Sequence, residues 1–185
     1  MFDFLKKGKE FYAPVTGSVI DIENVNDEVF SKKMMGEGIA FNPDVGVVSA
    51  PIDSVVTATL DSNHAIGLTT TDGIEYIIHI GLDTVECKGN GFKRLVNDGD
   101  KVVQGTKLIE FDINFLKKNN KDITTILIVS NKEHSKVSKK LKQGDFAKIN
   151  ENVVLIISNN LQSCGWPSFI NMLWDIIRTP NKVDV

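Results

Sequence analysis

Short apolar segments with the composition of β-strands recur along the chain and are separated by Gly, Pro and Asp. The clearest of these segments are residues 15–20, 47–56, 74–80, 107–111, 123–129 and 153–157, all rich in β-branched side chains. Many short strands with frequent turn signals between them predict an all-β fold, either a sandwich or a barrel.

Helical patterns are minor. Residues 113–119 predict one or two helical turns that end at the pair Asn119-Asn120, and residues 134–141 predict another short turn. Near the C-terminus, apolar side chains recur at the i, i+3, i+4, i+7, i+8 spacing of an amphipathic helix. The residues at this spacing are Phe169, Met172, Leu173, Ile176 and Ile177.

Two pairs of segments repeat weakly. The pairs are 13–19 with 50–56, and 99–109 with 144–154. Within the second pair, Gly105 corresponds to Asn150, and both residue types tolerate a left-handed backbone. The two residues are therefore expected to play the same backbone role. Matches this short also arise by chance, so internal duplication and coincidence both remain open.

Composition and charge narrow the classes of function. The chain has 185 residues, 42% hydrophobic and 24% charged, which suits one domain with a real core. A formal net charge of −3 without a long basic run argues against nucleic acid as the main partner. Cys87 and Cys164 form neither a disulfide framework nor a metal-binding pair, so free thiols in the cytoplasm are expected. No apolar run reaches the roughly eighteen residues of a membrane span.

A predicted β-hairpin contains two histidines, His64 and His79, in the apolar runs that flank a Thr-Thr-Asp-Gly turn. A two- or four-residue loop centred on residues 71–72 makes the two histidines direct cross-strand neighbours, with Cβ atoms roughly 5 Å apart. A loop shifted by one residue makes Ile66 the neighbour of His79 and leaves His64 diagonal on the same face. A loop with an odd number of residues breaks this parity and is less favoured.

Alternation then sorts the hairpin side chains into two faces. The face with the two histidines contains Ser62, Ile66, Leu68, Ile77 and Gly81, and the core face contains Tyr76, Ile78 and Ile80. A neutral imidazole can accept a phosphoryl group, a second imidazole can donate to its oxygens, and an apolar rim excludes water. Spacing alone leaves three interpretations open: a phosphoryl site, half of a metal site, or two structural histidines.

Residues 77–86, Ile-Ile-His-Ile-Gly-Leu-Asp-Thr-Val-Glu, resemble the phosphohistidine motif of the glucose-type IIA proteins of the bacterial sugar phosphotransferase system. The resemblance continues through 88–92, takes in 29–30, 36–40 and 63–65, and runs collinearly from about residue 10 to 158. It implies a distorted antiparallel β-sandwich with a duplicated topology. It also implies a phosphotransferase component that needs no cofactor.

The resemblance implies partners as well. The phosphoryl group would come from the phosphocarrier HPr and pass to a cysteine of the IIB domain of a sugar permease. That permease would be of the glucose, N-acetylglucosamine or glucoside type, so the chain would support sugar uptake and phosphorylation.

Roles for single residues follow from the same resemblance. His79 would be phosphorylated at Nε2, His64 would stabilise the phosphoryl group, and Ser62, where relatives usually have Thr, would supply a hydroxyl. Asp27 and Asp83 would meet a basic residue of HPr. An apolar docking patch would comprise Val29, Phe30, Met35, Leu60 and Ile77.

Two rival functions share features with this sequence. Zinc hydrolases of the lysostaphin type have a related topology, and the spacing of His79 and Asp83 looks like that of zinc ligands. That family needs a His-x-His pair, however, which this chain lacks, and His134 lies in a polar stretch that is expected to be solvated. Zinc shared with a partner through His64 and His79 stays open. A lipoyl or biotinyl carrier needs a lysine at a hairpin tip, and residues 70–73 contain none.

The expected organisation has three parts: a flexible tail at residues 1–10, a IIA domain at 11–158, and an extension of unassigned role at 159–185. The first seven residues are weakly amphipathic, so a weak contact with an anionic membrane surface and a disordered tail are both expectations. The predicted C-terminal helix belongs to the extension.

Overall fold

A computed structural model of the chain describes residues 8–130 and 135–159, and these residues form an antiparallel β-structure with two short α-helices. This confirms the predicted all-β class. Within the described residues no helix is long and apolar enough to cross a membrane. The strands are β1 (Lys9–Tyr12), β2 (Gly17–Ile20), β3 (Glu37–Pro43), β4 (Val47–Ser49), β5 (Ser54–Thr59), β6 (Ala65–Thr70), β7 (Glu75–Leu82), β8 (Phe92–Arg94), β9 (Lys101–Val102), β10 (Lys107–Phe111), β11 (Asp122–Val129), β12 (Ser135–Lys139), β13 (Phe146–Ala147) and β14 (Val153–Asn159). The helices are α1 (Glu28–Ser31) and α2 (Ile113–Lys118), with 3-10 turns at Ile22–Asn24 and Thr84–Cys87.

The strands make one large sheet and two small ones. The large sheet has eight strands in the order β13-β2-β3-β11-β7-β6-β5-β9, and the small sheets have the orders β1-β14-β12 and β4-β10-β8. Apolar side chains from all three sheets meet in one main core, which includes Phe11, Tyr76, Ile78, Leu108, Leu127 and Leu155. The large sheet therefore packs its inner face against the two small sheets, as in a β-sandwich.

The outer face of the large sheet is covered as well. Residues 22–35, which include α1, contribute Ile22, Val25, Phe30 and Met35 to a second buried cluster on this face. The central strands β7 and β11 are consequently buried on both faces, which explains why most of their residues are apolar. His79 lies on the outer face of β7, beneath this cover.

Hydrogen bonds confirm the predicted backbone equivalence of Gly105 and Asn150. Both have positive φ, 87° and 61°, and their amides donate to Ala50 and Ala13, the corresponding residues of the first repeated pair. Tyr12 N donates to Pro51 O, and Ser49 N donates reciprocally to Pro14 O. The weak sequence repeat thus corresponds to a real structural duplication.

The predicted short elements have different outcomes. Residues 113–119 form α2 with its C-cap at Asn119, as expected. The helical turn predicted for 134–141 is wrong, because residues from Ser135 onward form β12, which pairs with β14 and packs Val137 against the main core. At the N-terminus, Lys9 and Glu10, expected in the flexible tail, belong to β1. Residues 1–7, His134 and the predicted C-terminal helix lie outside the described residues.

Candidate functional site

The register of the histidine hairpin differs from both favoured alternatives. His79 pairs with Ala65, and Ile66 pairs with Ile78. The loop therefore has three residues, 71–73, the odd-numbered arrangement that the sequence analysis disfavoured. Gly73 has φ 85°, the left-handed conformation that closes a three-residue hairpin.

Side-chain chemistry of Thr70 explains this loop. Its carbonyl accepts from Gly73 N at 3.0 Å, so the carbonyl is engaged within the turn. Its hydroxyl Oγ1 accepts from Ile74 N at 3.0 Å and donates to Asp72 Oδ1 at 2.7 Å. One threonine side chain thus takes the place of a backbone acceptor, and the hairpin gains an extra residue.

The change of register moves two residues to the other face. Ile66 and Leu68, predicted beside the histidines, lie in the main core, and Ala65 and Ile77 share the outer face with His79. The inward orientation predicted for Tyr76, Ile78 and Ile80 is confirmed.

The two imidazoles are nevertheless in contact, although His64 and His79 are not cross-strand partners. Their ring centroids are 5.0 Å apart and the planes are nearly perpendicular, at 85°. His64 lies just before β6, after Asn63, whose φ of 53° turns the chain out of the extended conformation. Its carbonyl accepts from Ile80 N at 2.7 Å, so the backbone stays anchored to β7. A bend, rather than strand register, brings the ring of His64 to His79.

His64 is enclosed and oriented. Its side chain is 1% exposed, and Ser62 Oγ lies 2.7 Å from Nδ1. Burial lowers the pKa of His64 to about 4, so the ring is neutral at pH 7. If the Ser62 hydroxyl donates to Nδ1, the proton of the neutral ring resides on Nε2. The predicted orienting role of Ser62 has a direct hydrogen bond to support it.

His79 is nearly as enclosed, at 6% exposure. The ring of Phe30 packs on it at 5.0 Å between centroids with a 54° tilt. Burial first, and then the charge that His64 would carry, hold the pKa of His79 well below its ordinary value of 6.5. The Gly81 backbone opposes this shift, but no atom of the described residues completes a hydrogen bond of normal geometry to the buried Nδ1. The ring of His79 is thus neutral at pH 7 and lies in a water-poor position.

The backbone after His79 makes a tight turn. Gly81 has φ 73°, and a Cβ at this position would collide with the side chain of Thr84 and the carbonyl of Asp122. Asp83 is left-handed too, with φ 55°, and its side chain is exposed next to the site. Thr84 Oγ1 donates to Ile80 O at 2.6 Å and ties this turn back to β7.

The five apolar residues predicted as a docking patch do lie together, but mainly as a buried layer. Phe30, Met35, Leu60 and Ile77 belong to the outer cluster, and Ile77 is fully buried. In this conformation the Ile77 side chain therefore has no exposed surface to offer a rigid partner, and its docking role stays a prediction. The remaining member, Val29, is partly buried. Met34, which the sequence analysis did not name, is 57% exposed and lies after the C-cap of α1.

Asp27 has a local role that the sequence analysis missed. Its Oδ1 accepts from Val29 N at 2.8 Å and Phe30 N at 3.3 Å, which caps the single turn of α1. An Asp three residues before a Phe in an apolar segment is an ordinary N-cap signal that could have identified it. The cap leaves Oδ2 free of these two bonds, so capping and contact with a basic partner are compatible.

A metal ion at this site would need ligands in addition to the two histidines. The described residues contain no group of three or more His, Cys, Asp and Glu side chains that could hold a metal ion. The two imidazoles by themselves are fewer ligands than a zinc site requires.

Comparison with known proteins gives a family for this site. Residues 9–135 match the family model described as phosphoenolpyruvate-dependent sugar phosphotransferase system, EIIA 1. The glucose-specific EIIA component of Staphylococcus epidermidis is 42% identical over 129 residues, which are 70% of this chain and 78% of that protein. The corresponding component of Haemophilus influenzae is 36% identical over 148 residues, which are 80% and 88% of the two chains.

Larger relatives and a solved structure agree. The glucoside-specific EIICBA component of Staphylococcus carnosus is 46% identical over 67% of this chain, which spans only 18% of that protein. The structure of glucose permease IIA from Mycoplasma capricolum matches with a TM-score of 0.76 and 34% identity, covering 84% of this chain and 99% of that one. These matches give no support to the zinc hydrolase alternative. The chain belongs to the EIIA 1 family of the phosphoenolpyruvate-dependent sugar phosphotransferase system and has a phosphocarrier role in it.

Proposed function

We propose that this chain carries the phosphoryl group on Nε2 of His79. The observation that supports this most directly is the meeting of two buried, neutral imidazoles at 5.0 Å beneath an apolar cover. Nδ1 of His79 is enclosed without a hydrogen-bond partner among the described residues, whereas Nε2 is not enclosed in this way. Nε2 is therefore the nitrogen that can accept a phosphoryl group from a partner.

The chemistry is a displacement at phosphorus. The lone pair of His79 Nε2 forms the new N–P bond while the bond between phosphorus and the donor histidine of phospho-HPr breaks. Because the transferring group resembles metaphosphate, the protein acts chiefly by positioning and by stabilising charge. In the onward step a cysteine thiolate of a IIB domain attacks the same phosphorus and His79 leaves as a neutral ring.

His64 supports this transfer. With Ser62 holding Nδ1 at 2.7 Å, the Nε2–H of His64 is available to donate to a phosphoryl oxygen on the neighbouring ring. The buried apolar layer around Phe30, Leu60 and Met35 limits water, which would otherwise hydrolyse the phosphohistidine. Asp83, exposed beside the site, and Asp27 supply negative charge for a basic patch on HPr.

The test uses purified phospho-HPr with a radioactive phosphoryl group. The wild-type chain and His134→Gln should accept an acid-labile label, and His79→Gln should not. His64→Gln should be labelled but should pass the label on to a IIB domain much more slowly. Labelling of His79→Gln at the wild-type rate would refute the assignment.

The partner and cofactor proposals are tested in the same assay. We propose that the acceptor is a IIB domain of the glucose, N-acetylglucosamine or glucoside type, which places the reaction in the cytoplasm. Supplying each of the three domains in turn should reveal one that removes the label fastest.

Transfer from phospho-HPr should persist in EDTA, because the proposed chemistry involves no cofactor on this chain. Zinc bound at His64 and His79 only when a partner is present would reveal a shared metal site.

A further inference from the structure

We propose that Lys33 is a positioning residue for the His79 site: held between Glu23 and Glu37, it fixes the segment that places Phe30 on the ring of His79. This inference rests on the proposed function for its role in phosphoryl transfer. The cover formed by residues 22–35 defines the enclosure of His79, and its own secondary structure consists of one helical turn and one 3-10 turn. Helices this short are unstable by themselves, so other contacts must determine where Phe30 lies.

The ion pairs of Lys33 connect both ends of this cover. Its Nζ lies 2.6 Å from Glu23 Oε1, next to the 3-10 turn at the start, and 2.8 Å from Glu37 Oε2, where β3 begins. Lys33 adopts φ 55°, and its amide donates to Phe30 O at 2.9 Å. The same residue thus contacts the Phe30 backbone and both ends of the segment.

Lys139 anchors this cluster to a different sheet. It lies on β12, and its Nζ is 3.2 Å from Glu23 Oε2 and 3.7 Å from Glu37 Oε1. Two ammonium groups therefore share the same two carboxylates, and Asp21 Oδ1 is 4.0 Å from Lys139. Because β12 belongs to the small sheet β1-β14-β12, the cluster connects the cover to a part of the sandwich outside the large sheet.

The charges in this cluster reinforce one another. The hydrogen bond from Lys33 lowers the pKa of Glu23 to about 2, and Glu23 and Glu37 raise the pKa of Lys33. Glu23 and Lys33 therefore stay charged across the physiological pH range. Isolated surface ion pairs contribute little, but a partly buried network with several members is better able to fix geometry.

A neighbouring pair provides the matched control. Lys32 Nζ is 2.8 Å from Glu28 Oε2, but both residues belong to the same turn and its C-cap. This pair is as short as the Lys33 pairs and lies one residue away, yet it connects nothing beyond α1. Loss of Lys32 should leave the position of Phe30 unchanged.

The experiment measures the ring of His79 by NMR in Lys33→Met, Lys33→Arg, Lys139→Met and Lys32→Met. Opening the cover should admit water, so Lys33→Met should raise the pKa of His79 by about half a unit or more toward 6.5 and weaken the Phe30–His79 ring NOE. Lys139→Met should produce a smaller rise in the His79 pKa and a smaller loss of the NOE. This second variant tests the proposal even if Lys33→Met folds poorly. Lys33→Arg should restore the wild-type values, and Lys32→Met should match wild type.

These measurements need no phosphoryl group, so they are independent of the proposed function. An unchanged His79 pKa and an unchanged NOE in folded Lys33→Met and Lys139→Met would overturn the inference, as would an equal change in Lys32→Met. In the phosphorylated protein, Lys33→Met should shorten the half-life of the label several-fold relative to Lys32→Met. If wild type takes no label while the NMR changes occur, the proposed function fails and the positioning role stands.

Discussion

The ring of Phe30 lies 5.0 Å from the ring of His79, on the face of the large sheet that points away from the main core. Through this contact, an apolar residue of a single helical turn covers the ring of the proposed nucleophile. Exclusion of water lowers the pKa of the imidazole and slows hydrolysis of a phosphorylated ring. The Phe30 side chain should therefore affect both the pKa of His79 and the lifetime of the phosphoryl group.

Phe30→Ala tests this contact. The variant should raise the pKa of His79 toward 6.5 and shorten the lifetime of the label, because water reaches the ring. Loss of a buried phenyl group should also cost about 3 kcal/mol of unfolding free energy. NMR titration, label decay and urea denaturation measure the three effects.

Phe146→Ala is the control for that variant. Phe146 is 57% exposed on the edge strand β13. Its truncation should change the unfolding free energy by only about 0.5 kcal/mol and leave the pKa of His79 as in wild type. A pKa of His79 that is insensitive to Phe30→Ala would show that other groups keep the ring dry.

Stability should fall in mild acid because of His64. Its pKa is about 4 in the folded protein and about 6.5 when unfolded, so the unfolded chain binds the proton more strongly. The stabilisation is fully present above pH 6.5 and is lost as the pH falls from 6.5 to about 4. Between pH 7 and pH 5 this group should account for about 2 kcal/mol.

Urea denaturation of wild type and His64→Gln at the two pH values measures this contribution. The difference in unfolding free energy between pH 7 and pH 5 should be about 2 kcal/mol smaller in the variant. The remaining difference should include His79, whose pKa is shifted in the same direction. Equal pH dependence in both proteins would mean that His64 is not desolvated as described.

Two substitutions of Asp27 should distinguish its role in capping α1 from its proposed role in recognising HPr. Asp27→Asn keeps a side-chain oxygen that can cap α1 but loses the charge, so stability should persist while the KM for phospho-HPr rises. Asp27→Ala should lose about 1 kcal/mol as well. Thermal denaturation and the initial rate of labelling distinguish the two effects.

The cap of the other helix supplies the comparison. Asp112 Oδ1 accepts from Phe115 N at 2.9 Å at the start of α2. Asp112→Ala should cost a similar amount of stability without changing the KM for phospho-HPr. If Asp27→Asn labels with a wild-type KM, the charge of Asp27 has no part in recognising HPr.

Gly81→Ala should damage the site through the backbone. The added methyl group would meet Thr84 and the carbonyl of Asp122 while φ stays at 73°, so strain and overpacking combine. Gly99→Ala has a similar φ of 88° but nothing within 4 Å of the new carbon, so it should lose only about 1–2 kcal/mol. Gly81→Ala should lose about 1–3 kcal/mol more than that and label slowly. Equal losses in both variants would show that the turn at Gly81 yields to the methyl group.

The sequence contained enough information for the fold class and for the proximity of His64 and His79, whereas its weak repeats left internal duplication open. Their residue types and apolar surroundings are local properties that alternation and composition report. The register of the hairpin could not be predicted in this way, because it depended on whether the Thr70 hydroxyl would replace a carbonyl as an acceptor in the turn. That choice is a competition between hydrogen bonds of similar strength, and residue patterns do not decide it.

The burial of the predicted docking patch has a related cause. Sequence identified Val29, Phe30 and Met35 as apolar and close to the site, but an apolar residue can serve a core or an interface equally well. The ion pairs of Lys33 and the cap by Asp27 decide between these outcomes by folding the segment down onto the sheet. Both depend on distances across the fold that no short sequence window contains.

The large sheet ends at β13 on one side and β9 on the other, and each of these edge strands has two residues. The duplication gives both ends the same hydrogen bond from a glycine amide to the neighbouring strand: Gly99 N donates to Val56 O, and Gly144 N donates to Val19 O. A neighbouring molecule that tried to extend this sheet would find only a brief stretch of unpaired backbone on either side. The two ends of the large sheet thereby resist the strand-by-strand addition of a second molecule.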